Sequence, residues 1–505
     1  MLKDIIKKEI LGHLLDSKFL FSFIACALLI LLSVFMGMKN YTTDKKEYLV
    51  GVAEAGRTLD ERLSGAGAGI REGGSGGIDV TGMREFAGDA IKVFRQTPSL
   101  AAVVRGVGDA SGRVSGVNNR LENRPTESKY ESSVFSAIFS AFDLLFVVKM
   151  VLSLFALLFA YDAVSGEKEN GTLSLTLANS VPRSRLILGK AIGGYISLIL
   201  PLLVLLLLGA LMMSLNSDMD LGSAGGENWT RLFLLYGMFL LYLSVFFALG
   251  LFVSSLTARS STSFLTLLFV WVVLVLIIPK VAPAAAGWIR PAPFAHETLS
   301  EKTRVVPQIW REIDTNSLRE LYSESSGKRP ATPTTMEGYR DPVYQANLSR
   351  WSEEVSKLTG ELGRKYETLL AEAYTNIDRN YRLRQDAQRR LVKNLSRVSP
   401  ASGLTLGGMV LARTGTEEYN RFLDAARDYK NVYSDWLVRN NLRNEVGSIS
   451  LTARFTVADM PQFQFNPESL GESLARTLPD FALMAIMTLV FFTGACVAFM
   501  RYDVR

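Results

Sequence analysis

Cysteine and histidine are nearly missing: the 505 residues hold two of each. Cys26 and Cys496 lie in apolar runs, and only His13 and His296 could join them as ligands. A disulfide framework has no support, a zinc site has too few ligands, and histidine-based catalysis has little material. No G-x-x-x-x-G-K-[ST] run occurs. The nearest fragment, Ser326-Gly327-Lys328-Arg329, lacks the upstream glycine and the hydroxyl residue. A phosphate cradle needs glycines for close backbone approach and the hydroxyl for magnesium, so ATP hydrolysis is not expected in this chain. H-E-x-x-H is absent as well. The expectation is no catalytic residues, no metal and no cofactor in this chain.

Charge is unevenly spread. The net charge of +6 comes without a basic run interleaved with aromatics, so no nucleic-acid partner is expected. Hydrophobic residues make up 48% and charged residues 21%, with a mean hydropathy of +0.18. That mixture fits membrane spans alternating with sizeable water-exposed parts.

A span needs about 20 mostly apolar residues. The stretches 19–38, 135–161, 191–213, 232–256, 264–285 and 479–500 qualify or nearly do. The first is long enough to span and no small-residue cleavage site follows it directly, so it reads as a retained helix. Pro279 and Lys280 interrupt the outer end of the fifth, and Pro201 marks an expected kink in the third. Lysines and arginines gather before the first span, in 162–190, in the turn 257–263 and in the tail 501–505, while the outer loop 214–231 holds almost only acidic charge. The positive-inside rule then puts both termini in the cytoplasm.

Two larger segments fall outside. The segment 39–134 includes the glycine-rich patch 64–77, read as a flexible loop within a short mixed domain. The segment 286–478 reads as helical. Leu348, Trp351, Val355, Leu358 and Leu362, continued by Tyr366, Leu369, Ala373 and Ile377, make a coiled-coil-like stripe. A second helix is expected from Thr416, with Glu417 and Glu418 in its first turn and Tyr419, Phe422, Ala426, Tyr429, Tyr433 and Trp436 along one side. These two are expected to pair as an antiparallel hairpin. Residues 1–18 are partly amphipathic, with Leu2, Ile5, Ile6 and Ile10 opposite Lys3, Lys7 and Lys8, and are expected along the inner leaflet. The fold class is therefore an all-α membrane protein of about six transmembrane helices with two extracytoplasmic inserts, the second a long helical hairpin.

The most informative segment is YDAVSGEKENGTLSLTLANSVPRSRLILGK, 161–190. Acidic and glycine punctuation sets off a short apolar helix, 173–178, and Pro182 stands where a helix N1 proline belongs before the third span. Such a helix on a cytoplasmic loop suits transmission of a partner's motion, although a plain structured loop would look similar.

This stretch resembles the signature of the ABC type-2 exporter permeases. There the second span ends in an Asp, followed by an S-G-E-x-E-x-G-T-L string, a Pro-x-S-R-like step and a Leu-Gly-Lys entry into the third span. The matching residues are Asp162, Ser165, Gly166, Glu167, Glu169, Gly171, Thr172, Leu173, Pro182, Ser184, Arg185, Leu188, Gly189 and Lys190. The resemblance implies a bacterial inner-membrane export permease with a second permease subunit, identical or related. It also implies a separate ABC ATPase that binds ATP and docks on this loop. The residues from Asp162 to Leu173 would couple the two, with Glu167, Glu169, Gly171 and Thr172 foremost. Family members ordinarily have short outer loops; the domain-sized segments here resemble a bacterial branch with large inserts.

Two charges fall inside the expected second span. Lys149 sits mid-span and Asp143 nearer the outer face. A charge there must face the bundle or a cavity. Both read as translocation-path or subunit-contact residues, or as polar contacts to a neighbouring helix; six residues apart, they do not share a helix face. A scaffold that passes ATPase motion to the outer helices without transport is the alternative to a permease, and a membrane enzyme is a third reading without a paired catalytic set.

Overall fold

The computed structural model describes residues 2–15, 17–68, 91–108, 112–117, 124–125, 142–178, 182–219, 221–222, 226–313, 329–439 and 460–502. Among the described residues, six helical runs are long and apolar enough to cross a membrane: Leu20–Glu61, Leu144–Glu169, Arg183–Leu215, Glu227–Leu256, Ser260–Ile289 and Leu470–Met500. They alternate in direction. One end of the bundle, the loop end, carries 162–190, the N-terminal helix and Tyr502. The other, the far end, carries a small sheet and further helices.

The fourth span is the hub. Its most apolar window is 72% buried, against 11% in the fifth and 17% in the sixth. Tyr236, Phe239, Tyr242, Phe246 and Leu249 pack there with Leu152, Phe155, Leu202, Leu205 and Met484. A helix apolar on all sides belongs in such a centre.

Two spans widen into π-helical turns, Val147–Leu152 and Val272–Ile277. A π turn frees carbonyls that must find other donors in an apolar setting. They do. Tyr242 donates from its hydroxyl to Lys149 O at 2.9 Å, and Ser399 donates to Leu274 O. Leu274 stands five residues before Pro279, which has no N–H to offer. The fifth span therefore does not stop at Pro279; it runs on as a helix through Ile289.

At the loop end, α1 (Leu2–Leu15) lies across the start of the third span. Gly189 and Gly193 make the close approach possible: an added Cβ would meet Ile5 at 2.5 Å and Glu9 at 2.8 Å. Small residues four apart let two helices touch at backbone distance. Ile5, Ile6 and Ile10 are accordingly half-buried on protein, while Lys3, Lys7, Lys8, Leu11, Leu14 and Leu15 are exposed.

The helix of the first span corrects one expectation. It continues unbroken as Ser17–Ala68, through the first residues of the glycine-rich patch, where the alanines offset the glycine cost. The remainder of that patch lies outside the described residues. A three-stranded antiparallel sheet follows, β1 (Ile91–Phe94), β2 (Val114–Val117) and β3 (Arg124–Pro125), with Ile91 opposite Val117 and Ser115 opposite Pro125.

The loop 162–190 contributes α2 (Ser165–Glu169) and α3 (Thr172–Ala178). The far-end helices are α4 (Ala295–Ile313), α5 (Pro342–Ser396), α6 (Pro400–Leu411) and α7 (Thr416–Arg439). A hairpin forms there, but its arms differ from those expected. The stripe on α5 packs against α4, with Leu362, Tyr366, Leu369, Leu370 and Ala373 around Val305, Ile309 and Ile313. Trp310 stacks on Tyr366 at 4.5 Å, and Lys302 pairs with Asp378 at 2.9 Å, an antiparallel register. The stripe on α7 instead covers the sheet: Phe422, Ala426 and Tyr429 bury with Val93, Val117, Phe463 and Phe465. An apolar stripe reports that a face is covered and is silent on what covers it. Between them, α6 inserts among the fourth, fifth and sixth spans, with Ala401, Leu404 and Leu411 buried.

Candidate functional site

The loop 162–190 is tied to the bundle at several points. Val164 N–H and Ser165 N–H both donate to Ser254 Oγ at 3.0 Å, fixing the loop to the end of the fourth span. Lys168 Nζ donates to Ser255 O and, at 3.1 Å, to Thr257 O, and lies 4.5 Å from the Tyr502 ring centre. Glu169 Oε2 accepts from Ser260 N–H at 2.9 Å, supplying the first amide of the fifth span with a carboxylate. Finally, Lys190 Nζ lies 2.8 Å from Glu167 Oε1 and 3.0 Å from Glu9 Oε1. Lys190 is buried, and a buried ammonium requires such partners.

Apolar contacts complete the mooring. Val164 and Leu173 are buried with Leu186, Ile187, Leu251 and Phe499, and Ile5 packs beside them. Arg183 Nη1 donates to Met500 O and Tyr502 O, closing the end of the sixth span. Pro182 is the N-cap of the third-span helix rather than its first residue.

One ridge of the loop stays bare. Asn170, Gly171, Thr172 and Ser174 are exposed, and Leu175 is 69% exposed beside them. Gly171 holds φ at +70°, a left-handed conformation that reverses the chain between α2 and α3. Nothing lies within 4 Å of where its Cβ would stand. Of the expected coupling residues, then, Ser165, Glu167, Glu169 and Leu173 anchor the loop and Gly171 and Thr172 present its surface. Asp162 is exposed next to Gly166, whose Cβ would meet Asp162 Cβ at 3.4 Å.

Residues 4–504 match the family model of the ABC-2 family transporter proteins. The chain belongs to that family. It is a multi-pass membrane protein, the transmembrane permease subunit of an ABC transporter. No curated protein matches it.

The two charges that fall inside the expected second span take different places. Asp143 stands before the helix at Leu144 and caps it, accepting from Phe146 N–H at 2.7 Å and from Arg105 N–H at 2.9 Å. Lys149 sits in the first π turn, half-buried, and the two form no ion pair.

A second polar centre of the permease, at the far end, went unread in the sequence. Arg231, at the start of the fourth span, is fully buried. It donates to Glu227 Oε1 at 2.9 Å, Leu411 O at 3.2 Å, Ser473 Oγ at 2.9 Å and Glu468 O at 2.7 Å. One guanidinium thus joins the fourth span, α6 and the entry to the sixth span. Around it, Arg413 donates to Asn228 Oδ1 at 3.2 Å, Glu468 N–H donates to Glu418 Oε2 at 3.2 Å, and Arg476 lies 3.3 Å from Glu468. Burial pushes the Glu418 and Glu468 carboxyls above their usual range, only partly offset by the neighbouring arginines. The signal available in the sequence was a lone arginine four residues after Glu227 at the mouth of an apolar run.

Proposed function

We propose that this permease is the membrane half of a bacterial inner-membrane exporter, driven by a separate ABC ATPase that docks on the ridge Asn170–Leu175 from the cytoplasm. The observation that carries the proposal is the contrast within one loop: every anchor faces the bundle and one apolar-tipped ridge faces away. A rigid lever with an open handle suits a part that must be pushed. A push on the ridge reaches the third span through Lys190, the fourth through Ser254 and the fifth through Glu169. Both termini lie in the cytoplasm, and the sheet with α4 to α7 is extracytoplasmic. The thinly covered first, fifth and sixth spans leave surface for lipid and for a second permease subunit. ATP belongs to the partner.

A second reading has its own observation. Glu169 caps the fifth span, and that span continues through Ile289 toward α4, along which α5 returns. ATPase motion could leave the membrane by this route and move the outer hairpin without a substrate crossing.

Mild-detergent purification of the tagged protein tests the docking. An ABC ATPase should co-purify and lose its stimulation when Glu169 and Gly171 are changed; a preparation that keeps other membrane complexes but holds no ATPase defeats the proposal. Topology has a separate check. A cysteine at position 353, an exposed site on α5, should react with an impermeant thiol reagent in intact cells. Reaction only after lysis overturns the arrangement.

A further inference from the structure

A cleft of about 640 Å³ opens between the loop-end halves of the fourth and sixth spans. Its walls are apolar, formed by Phe252, Leu256, Val490 and Val497, and its mouth carries Lys168, Arg501 and Tyr502. The walls are open to the outside: Leu256 is 61%, Val490 58% and Val497 44% exposed. From Val490 to Arg501 the helix rises roughly 16 Å, the length of much of an acyl chain in one leaflet.

Among the described residues the mouth is cationic and unbalanced. The Arg501 side chain makes no hydrogen bond or ion pair among the described residues. Lys168 spends two donors on the terminal carbonyls of the fourth span and keeps a third. No carboxylate among the described residues lies within ion-pair distance of either. Tyr502 adds an amphipathic ring at the same level, where a membrane interface favours it. Two cations above an open apolar wall complement an anionic headgroup above its chains.

We propose that this cleft binds an anionic glycerophospholipid of the leaflet on the loop side. The phosphate sits between Arg501 and Lys168, and an acyl chain lies against Phe252, Val490 and Val497. Lys168 stands between Glu167 and Glu169, so the bound lipid reaches the segment that moors the 162–190 loop. Lipid charge thereby becomes an input to that loop.

Native mass spectrometry of the full-length protein, titrated with phosphatidylglycerol or phosphatidylcholine, tests the site. The wild-type chain should retain phosphatidylglycerol in preference to phosphatidylcholine. Arg501→Gln should weaken that retention about fivefold, the effect of one basic residue at an anionic surface. Ala498→Trp, which fills the cleft from its lining, should abolish it. A photoreactive phosphatidylglycerol should label the 490–497 stretch in the wild type and not in Ala498→Trp. Equal retention of the two lipids would show an apolar gap open to any chain and overturn the proposal. So would phosphatidylglycerol retention and labelling unchanged in both variants.

Discussion

Lys190 and Glu167 form a 2.8 Å ion pair between the third span and the loop before it, and Glu9 of the N-terminal helix closes on the same ammonium at 3.0 Å. The lysine side chain is 4% exposed and the two carboxylates 24% and 17%. Three segments distant in sequence therefore share one cation. Lys190→Met would leave two carboxylates facing each other with no counter-charge. A loss of about 3 kcal/mol is expected, since stripping one partner from a buried pair leaves an uncompensated charge. Thermal unfolding in detergent should show a lowered Tm. Glu9→Gln combined with Lys190→Met should recover part of the loss, and a purely additive double variant would separate Glu9 from the network.

Gly171→Ala tests the ridge at small structural cost. No atom obstructs the new methyl, so the penalty is the left-handed backbone alone, about 1 kcal/mol. Membrane insertion should be normal and stimulation of the partner ATPase reduced. Normal stimulation in Gly171→Ala would show that the turn conformation does not matter for docking.

Arg231 holds the far end together, and nothing smaller or rounder can replace it. Arg231→Met leaves Ser473, Leu411 O and Glu468 O without their donor in a buried site. A cost of about 3 kcal/mol or more is expected. Arg231→Lys should rescue little, because an ammonium cannot span the same fork of acceptors. Limited proteolysis reads this directly: chain cleavage near α6 should accelerate in both variants. Protection equal to wild type would place the joint's strength elsewhere.

The far-end joint should also respond to pH. Glu418 and Glu468 carry folded-state pKa values raised above the ordinary 4.5, chiefly by burial. A carboxyl raised on folding contributes stability that is full below its unfolded pKa and is lost as pH rises through the folded pKa. Thermal stability should therefore fall as pH is raised from about 4.5 toward neutrality. Glu418→Gln combined with Glu468→Gln should flatten that slope. A slope unchanged in the double variant would assign the pH response to other groups.

Much of this architecture was legible because lipid imposes a simple rule. Apolar runs of span length had few other readings, and each of the six expected runs overlaps one of the helical runs, the second only from Leu144 on. The loop was legible for a different reason: Gly171, Glu167 and Glu169 each answer a local demand, a positive φ or a charge at a helix start. Partners across the fold were not legible. Nothing local to Glu9 points at Lys190, and the stripe from Phe422 to Trp436 could not announce a sheet as its cover. Asp143 shows a readable signal misread. An Asp immediately before an apolar run is an N-cap signature, but a span drawn from residue 135 placed it inside the membrane. Arg231 was passed over because its four acceptors come from three separate segments.

The central claim is that an ATPase sits on the exposed ridge of the 162–190 loop. The most direct measurement is site-specific photocrosslinking in native membranes, with a photoreactive residue at position 175 and, as a control, at position 357 on the exposed face of α5. The expected result is a crosslink from 175 to an ABC ATPase that Leu175→Glu removes from co-purification, with no such product from 357. An ATPase that co-purifies undiminished with Leu175→Glu and never crosslinks to 175 would contradict the account.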